Sequence, residues 1–408
     1  MNIKLLKFRI RTSITAIIKT ILHAVGVAFF GIFIRSGKER PFIKGTDSPK
    51  ILFISIGYRG DFILNFPILK AIKVRYPNAH ITCWVRGYSE SLAKLNPYID
   101  NSLVYDEFPN TGFHMIWKLL HINRRDPFIK SIGSMEFDFS IDDSGYGFSA
   151  DVCYLAAIPY RIGRNIQGFG FLNHYEVPSA PNSNLLDKRL RLLEPLGISV
   201  PHSGDLYPSI SIPKSKLEEL NKKYGLNIRA GDYFTIQPYG GWEAKNWDDE
   251  KFTIVIREFG NYSGKTPVFI GGPTDIEGIS RIKDKIGFAC IETAGKIDLG
   301  EAAILISGAA IHLGVDSFGS QFAAAAGVKS LTLFGPTNPR LILFMGPENK
   351  AVMKKTSCSP RPDRLYCCAD AGRSCPRLSC MKELQVDHVL GPLQALWKGD
   401  EVEDLIIY

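Results

Sequence analysis

Apolar runs long enough to fill a strand alternate with segments of helical periodicity along most of the chain. Residues 51–56 are almost all apolar, as expected for a parallel strand that is covered on both faces. Gly57 and Gly60 bracket a turn, and from Phe62 onward apolar residues recur at helical spacing. This stretch therefore predicts a buried strand, a tight turn and an amphipathic helix.

A carboxylate occupies the start of that first helix. Folds that bind nucleotides place phosphate at such a helix N-terminus, where backbone N–H groups and the helix dipole favour an anion. Asp61 stands at this position instead, and its charge would repel phosphate. Asp61 is therefore either a helix cap or a group that acts on something other than phosphate.

The same alternation continues to residue 197. Further strands are predicted at 80–85, 102–105 and 137–143, and further helices at 88–95, 113–125, 149–158 and 187–197. Residues 198–214 are rich in Pro, Ser and Gly and predict a linker. The alternation of strands and helices then begins again. Strands are predicted at 233–238, 266–272, 310–316 and 329–335, and helices at 248–260, 275–287, 301–309 and 320–328.

Repeated βα units predict parallel sheets, and the linker divides them into two domains. We expect an α/β protein with two doubly wound, Rossmann-like domains that face a cleft, and strand-to-helix loops that line it. The predicted domains are residues 46–205 and 206–385. They are preceded by an extension at 1–45 and followed by a C-terminal helix and tail at 386–408.

Charge changes this picture at the N-terminus. Residues 1–50 contain ten Lys or Arg and two acidic residues, which accounts for the whole formal excess of +8. The remaining chain is neutral, so it has no net electrostatic attraction to nucleic acid. Residues 13–34 are mostly apolar but contain Lys19 and His23. A helix lying in the membrane interface fits this pattern best, with a single spanning helix or a helix packed on the protein as alternatives.

Five of the eight cysteines crowd a short segment near the C-terminus, namely Cys358, Cys367, Cys368, Cys375 and Cys380. Their spacing matches no standard zinc pattern. Either a set of disulfides or a structural four-thiolate metal site is consistent with it.

The best candidate for phosphate binding is the segment after the strand at 310–316. Asp316 ends that strand, and Ser317, Gly319 and Ser320 are small enough for backbone N–H groups to approach an anion. An alanine-rich helix follows and supplies its positive end. A helix capped by serine, with no ligand, is the alternative.

Two more loops of the C-terminal half carry suitable chemistry. Gly240 and Gly241 permit close backbone approach to a ligand, and Lys245 adds a positive charge. A lysine that is simply solvated is the alternative. Asp275 and Glu277 follow the next strand, where a carboxylate accepts hydrogen bonds from a ribose or caps a helix. Together the three loops predict a site for a nucleoside diphosphate.

These motifs together resemble glycosyltransferase family 9, the heptosyltransferases of lipopolysaccharide assembly. The resemblance covers roughly residues 50–385 and rests on "GYRGDFILNFPILKAIKVRYPNA", "QPYGGWEAKNW", "FIGGPTDIEG" and "GVDSFGSQFAAAAGVKSLTLFGPTNP". It implies the GT-B fold, a nucleotide-diphosphate sugar as donor substrate, ADP-heptose among the candidates, inversion at the anomeric carbon, and no cofactor or catalytic metal.

The resemblance also implies roles for particular residues. Asp61 is the expected base and Lys245 the phosphate contact. The residues expected to bind the sugar nucleotide are Gly240, Gly241, Asp275, Glu277, Asp316, Ser317, Phe318, Gly319, Ser320 and Gln321. The domain at 46–205 would then hold the acceptor, a lipid-linked or core oligosaccharide, and the domain at 206–385 the sugar nucleotide.

We therefore expect an inverting glycosyltransferase at the cytoplasmic face of the inner membrane, with residues 1–45 on the lipid. A nucleotide-sugar epimerase or hydrolase of the same fold would need a further acid or base pair. The presence of both Asp61 and Lys245 argues against a non-catalytic nucleotide-sugar or glycan-binding protein.

Overall fold

The computed structural model describes residues 47–107, 126–166, 170–177, 184–199, 209–343, 348–367, 375 and 377–408. The N-terminal extension, the helix predicted at 113–125 and Cys368 lie outside these residues. Within the described ranges, no helix combines the length and the apolar character needed to cross a membrane.

The chain forms two compact units. The first contains the described residues up to 177 and those of 187–199, and the second contains 184–186 and the described residues from 209 onward. Each unit is built around its own parallel sheet, with helices connecting the strands.

The first unit has a six-stranded sheet in the order β3-β2-β1-β4-β5-β6, and every neighbouring pair is parallel. Its strands are β1 Lys50–Ser55, β2 His80–Val85, β3 Asn101–Val104, β4 Phe139–Asp142, β5 Tyr160–Arg164 and β6 Tyr175–Val177. Its helices, the last of which begins in the residues assigned to the second unit, are α1 Arg59–Ile63, α2 Phe66–Arg75, α3 Glu90–Leu95, α4 Pro127–Ser134, α5 Gly147–Leu155 and α6 Leu185–Leu190.

The second unit has a seven-stranded sheet in the order β13-β12-β11-β10-β7-β8-β9, again parallel throughout. Its strands are β7 Tyr233–Gln237, β8 Thr266–Phe269, β9 Ile291–Glu292, β10 His312–Val315, β11 Ser330–Phe334, β12 Asn349–Met353 and β13 Leu405–Ile407. Its further helices are α7 Lys214–Tyr224, α8 Asp249–Ser263, α9 Ile276–Lys283, α10 Leu299–Ser307, α11 Phe318–Ala325, α12 Pro339–Ile342, α13 Ser379–Lys382 and α14 Val386–Lys398.

The predicted fold class, two doubly wound α/β domains, is confirmed. The strands were predictable because central parallel strands are covered on both faces and so read as continuous apolar runs. In β1, for example, residues 51–54 are fully buried.

The opening helix differs from the prediction. It is two helices, Arg59–Ile63 and Phe66–Arg75, and Asn65 between them is fully buried. Its amide Nδ2 donates to Ser55 Oγ at 3.0 Å and to Asp143 Oδ2 at 2.9 Å. Because these side-chain bonds hold Asn65 in the interior, the break depends on residues that are remote in sequence.

Candidate functional site

Each sheet has one point where the strand order reverses, and ligands of doubly wound folds bind beyond the strand ends there. In the first unit this point lies between β1 and β4, which are neighbours with Ile54 opposite Asp142. Asp61 follows β1, and Asp143 follows β4 directly. The switch point therefore brings the predicted Asp61 to an acidic residue that sequence analysis had not singled out.

Both carboxylate oxygens of Asp61 have hydrogen-bond partners. Oδ2 accepts from the backbone N–H of Tyr58 at 3.2 Å, and Oδ1 accepts from Arg189 Nη2 at 2.6 Å. A Cβ atom on Gly57 would lie 3.3 Å from Oδ2, so glycine leaves room for this carboxylate. Gly60 lies inside the helix rather than in the turn. Asp61 thus caps the N-terminus of α1 through the Tyr58 N–H, and its side chain remains 28% exposed.

Arg189 connects Asp61 to the interior of the unit. Its side chain is 5% exposed, and its Nε lies 3.1 Å from Asp143 Oδ1. Asp143 also accepts from Arg164 Nη1 at 3.1 Å. Two carboxylates and two guanidinium groups therefore alternate along one chain of ion pairs.

The neighbouring acids Asp142 and Asp143 differ in their protonation chemistry. Burial raises the pKa of Asp142 to about 7, although Ser149 and the Gly145 N–H donate to it. Burial also acts on Asp143, but the Arg189 and Arg164 guanidinium groups outweigh it and hold the pKa of Asp143 below its ordinary value. Asp143 is thus the permanent anion of the pair.

Tyr146 is close enough to Asp61 to be affected by the charge of its carboxylate. Burial, followed by the negative charge of Asp61, raises the pKa of Tyr146 to about 12. Tyr146 therefore stays a neutral phenol at physiological pH.

In the second unit the strand order reverses between β7 and β10, where Gly314 lies opposite Gln237. Lys245 comes from the loop after β7, and Asp316 follows β10. Lys245 Nζ lies 2.7 Å from Asp316 Oδ2 and donates to the Asp316 carbonyl oxygen at 3.0 Å. Two of the three predicted loops therefore meet at the switch point.

Asp316 is almost fully buried, at 4% exposure, and Thr337 Oγ1 donates to the same carboxylate oxygen at 2.7 Å. Gly240 allows the lysine to pack closely, since a Cβ atom there would lie 3.0 Å from Lys245 Cβ. A Cβ atom on Gly241 would meet nothing within 4 Å. Of the two predicted glycines, Gly240 is the one that the packing of Lys245 requires.

Ser317 and the first turn of α11, up to Gln321, are held by contacts that the sequence did not indicate. The Gly319 N–H donates to Gln237 Oε1 at 2.8 Å, and Gln237 Nε2 donates to Ser317 Oγ at 3.1 Å. Ser320 Oγ donates to the Val315 carbonyl at 3.2 Å. Phe318 and Gln321 are buried, with Gln321 Nε2 donating to Ile342 O at 3.3 Å. Many of the polar groups in this segment therefore form hydrogen bonds within the protein.

The two acids predicted for the third loop, Asp275 and Glu277, have different partners, and Glu277 lies in the first turn of α9. Asp275 Oδ2 accepts from the Gly272 N–H at 2.8 Å, as a capping carboxylate does. Glu277 has a side chain that is 92% exposed and lies 3.1 Å from Arg281 Nη1. Glu277 is therefore the more accessible of the two.

Four of the clustered cysteines, Cys358, Cys367, Cys375 and Cys380, line one small cavity. Cys358, Cys375 and Cys380 form no disulfide. Burial, followed by the other three sulfurs, raises the pKa of Cys380 to about 11. Across the described part of the chain, no group of three or more His, Cys, Asp or Glu side chains has the geometry to hold a metal ion.

Arg189, Asp143 and Gln237 are among the polar residues that sequence analysis missed. The acidic pair at the end of the predicted strand 137–143 was a visible signal for Asp143. For Arg189 there was none, because Lys188 and Arg191 are close to it in sequence and only the fold determines which of them turns inward.

Comparisons with known proteins agree on one family. The model of glycosyltransferase family 9 (heptosyltransferase) matches residues 125–368, more than half of the chain. Lipopolysaccharide heptosyltransferase 3 of Escherichia coli (strain K12) is 27% identical over 298 residues, which cover 69% of this chain and 81% of that protein.

Solved structures show the same fold. The E. coli ADP-heptose lipopolysaccharide heptosyltransferase II aligns with a TM-score of 0.68 at 18% identity, over 86% of this chain and all of that one. The E. coli heptosyltransferase WaaC with ADP aligns with a TM-score of 0.58 at 20% identity, over 72% of this chain and 89% of that one.

Proposed function

Because the chain belongs to glycosyltransferase family 9, we propose that it transfers a heptose from ADP-heptose to a lipopolysaccharide core sugar, with inversion at the anomeric carbon. Glycosyltransferase activity follows from the family. The choice of heptose and of a lipopolysaccharide acceptor is supported by the similar E. coli heptosyltransferase, and ADP by the related structure that contains it.

One observation carries this proposal, the pairing of Lys245 with Asp316 at the switch point of the second unit. An ammonium group has three N–H donors, and the two contacts described here direct two of them to Asp316. Lys245 Nζ also lies 4.8 Å from the centroid of the Trp242 ring. We propose that a phosphate oxygen of the sugar nucleotide approaches this same ammonium group. Asp316 and its carbonyl thus fix the lysine at the N-terminal end of α11, where the helix dipole also favours an anion.

The acceptor hydroxyl needs a base because it is a poor nucleophile near pH 7. We assign this role to Asp61, whose carboxylate is partly exposed and fixed by two hydrogen bonds. As the acceptor oxygen bonds to the anomeric carbon, its proton passes to Asp61. The bond between that carbon and the diphosphate oxygen breaks, and the diphosphate takes the electron pair.

Negative charge grows on the departing diphosphate in this step. Lys245 and the positive end of the α11 dipole supply positive charge that is already in place, so little reorganisation is needed. Sugar transfer of this kind passes through an oxocarbenium-like transition state, in which the bond to the leaving diphosphate is largely broken. Stabilising the charge on the diphosphate therefore lowers the barrier.

The proposed function is tested with the purified full-length chain, ADP-heptose and a heptose-bearing core oligosaccharide. We expect product of increased mass and free ADP in equal amounts, and the same rate in EDTA as in Mg²⁺, because Lys245 and α11 provide the positive charge. Hydrolysis of ADP-heptose without a glycosylated product would contradict the transfer. A rate that EDTA abolishes and Mg²⁺ or Mn²⁺ restores would contradict the metal-independent mechanism.

We further propose that residues 1–45 hold the enzyme on the cytoplasmic surface of the membrane, where a lipid-linked acceptor would be. The segment is polycationic and mostly apolar from residue 14 to residue 34. Each basic residue near an anionic surface contributes about 1 kcal/mol, and this part weakens with salt. Burial of the apolar residues adds a part that salt does not weaken.

Sedimentation with anionic liposomes measures both parts. We expect the full-length chain to sediment and high salt to release only a fraction of it, whereas a chain that starts at Ser48 stays in the supernatant. Replacing Lys4, Lys7, Arg9 and Arg11 with Gln should weaken the salt-sensitive part and leave the salt-insensitive part unchanged. Equal sedimentation of the full-length and shortened chains would refute the membrane role.

A further inference from the structure

We propose that Arg189 is a positioning residue for the proton transfer, that it fixes the Asp61 carboxylate, and that Asp143 anchors Arg189 in turn. This inference rests on the proposed role of Asp61 as the base. Its basis is the chain of contacts from Asp61 Oδ1 to Arg189 Nη2, and from Arg189 Nε to Asp143.

A carboxylate at the start of a five-residue helix would turn freely if nothing held it. Helix α1 contains Arg59–Ile63 only, and the Asp61 side chain is 28% exposed. The Tyr58 N–H fixes Oδ2, and the Arg189 guanidinium fixes Oδ1. With both oxygens held, the carboxylate has one orientation, which is what efficient proton transfer requires.

Arg189 is itself held in this position. It is buried, at 4% exposure, and its Nε contacts Asp143, which is 3% exposed. Guanidinium is planar, so fixing Nε on one carboxylate also sets the direction of Nη2 toward the other. Lysine has a single ammonium group without this planar geometry, so it would not reproduce the arrangement.

Asp143 does more than hold Arg189, because it balances the charge during the reaction. Before proton transfer, Asp61 and Asp143 both carry negative charge near Arg189. When Asp61 takes the proton it becomes neutral, and Asp143 remains as the counterion of the buried guanidinium. Arg164 and Asn65 also donate to Asp143, which keeps it ionised throughout.

Arg189→Met is the direct test. We expect turnover to fall about 10- to 100-fold, the loss that a small misplacement of a reacting group causes, with KM for both substrates within about threefold of wild type. Because Met removes one guanidinium partner from the buried Asp143 and from the partly exposed Asp61, the fold is checked by thermal unfolding and by ADP binding. Should the single variant unfold, Arg189→Met with Asp143→Asn removes the opposite charges together.

The matched control is Arg161→Met. Arg161 is also a buried arginine of the first unit, but its guanidinium donates to the backbone carbonyls of Leu172 and Ile158. Its loss should lower the melting temperature and leave turnover unchanged.

A cycle with Asp61→Ala separates positioning from general damage. If Arg189 acts through Asp61, the Asp61→Ala, Arg189→Met double variant is no slower than Asp61→Ala alone. A wild-type turnover number in Arg189→Met, or losses that multiply in the double variant, overturns the inference while the proposed function stands. Absence of transfer by the wild-type chain overturns the proposed function, and the inference with it.

Discussion

Asp61→Ala is expected to retain its fold and its affinity for ADP while turnover falls about 10²–10⁴-fold, the usual loss when a general base is removed. The fold should persist because Arg189 keeps its contact with Asp143. The hydrogen bonds removed are those that Asp61 accepts from the Tyr58 N–H and from Arg189 Nη2. ADP affinity should persist because the proposed diphosphate contacts belong to the second unit. Steady-state turnover and calorimetric titration with ADP measure the two effects.

Asp138→Ala is the control for the loss of an acidic side chain in the same unit. Asp138 precedes β4 and accepts from the Lys50 N–H at 2.7 Å, so it lies at the amino end of the strands, whereas Asp61 follows a carboxyl end. Its removal should leave turnover unchanged. If Asp61→Ala instead turned over at the wild-type rate, the base would have to be another group.

The sequence was informative where one residue type determines one local property. Apolar runs identified the central strands, and polar residues after them pointed to Asp61, Lys245 and Asp316 because parallel strands place their carboxyl ends along one edge. In the second unit, Lys245 and Asp316 do meet there, 2.7 Å apart.

The sequence was uninformative where remote residues decide. Strand β13 is only Leu405–Ile407, and it is defined by pairing with β12, with Val352 opposite Ile406. Three residues cannot show a period. The break at Asn65 likewise depends on Ser55 and Asp143, which the linear pattern does not connect.

Contacts between residues that are remote in sequence also explain why the sequence predicted the site only in part. Phe318 and Gln321 lie in the predicted phosphate loop, yet the structure buries both, with Phe318 stacked on Phe322 at 5.7 Å. Their roles in binding the sugar nucleotide stay predictions. Periodicity places a residue on a helix, but the neighbouring elements determine whether its side chain faces a ligand or the core.

Lys245→Ala should weaken ADP binding about 10- to 100-fold while adenosine binding changes less than about twofold. A hydrogen bond to a charged group contributes about 1.5–3 kcal/mol, which corresponds to this range. Lys251→Ala is the matched control, since Lys251 lies near Trp247 as Lys245 lies near Trp242. Lys251 differs because it donates to the carbonyls of Lys382 and Leu384. It should leave both affinities unchanged. Equal losses for ADP and adenosine would show that Lys245 does not contact phosphate.

Part of that loss should come from Asp316 rather than from the missing ammonium group. Without Lys245, the described partners of this buried carboxylate reduce to the Thr337 hydroxyl, and its negative charge would then repel a diphosphate. Asp316→Asn removes the charge and keeps the shape. We therefore expect Lys245→Ala with Asp316→Asn to bind ADP more tightly than Lys245→Ala alone, yet less tightly than wild type. Calorimetric titration with ADP decides this, because an additive loss in the double variant would mean that the two residues contribute independently.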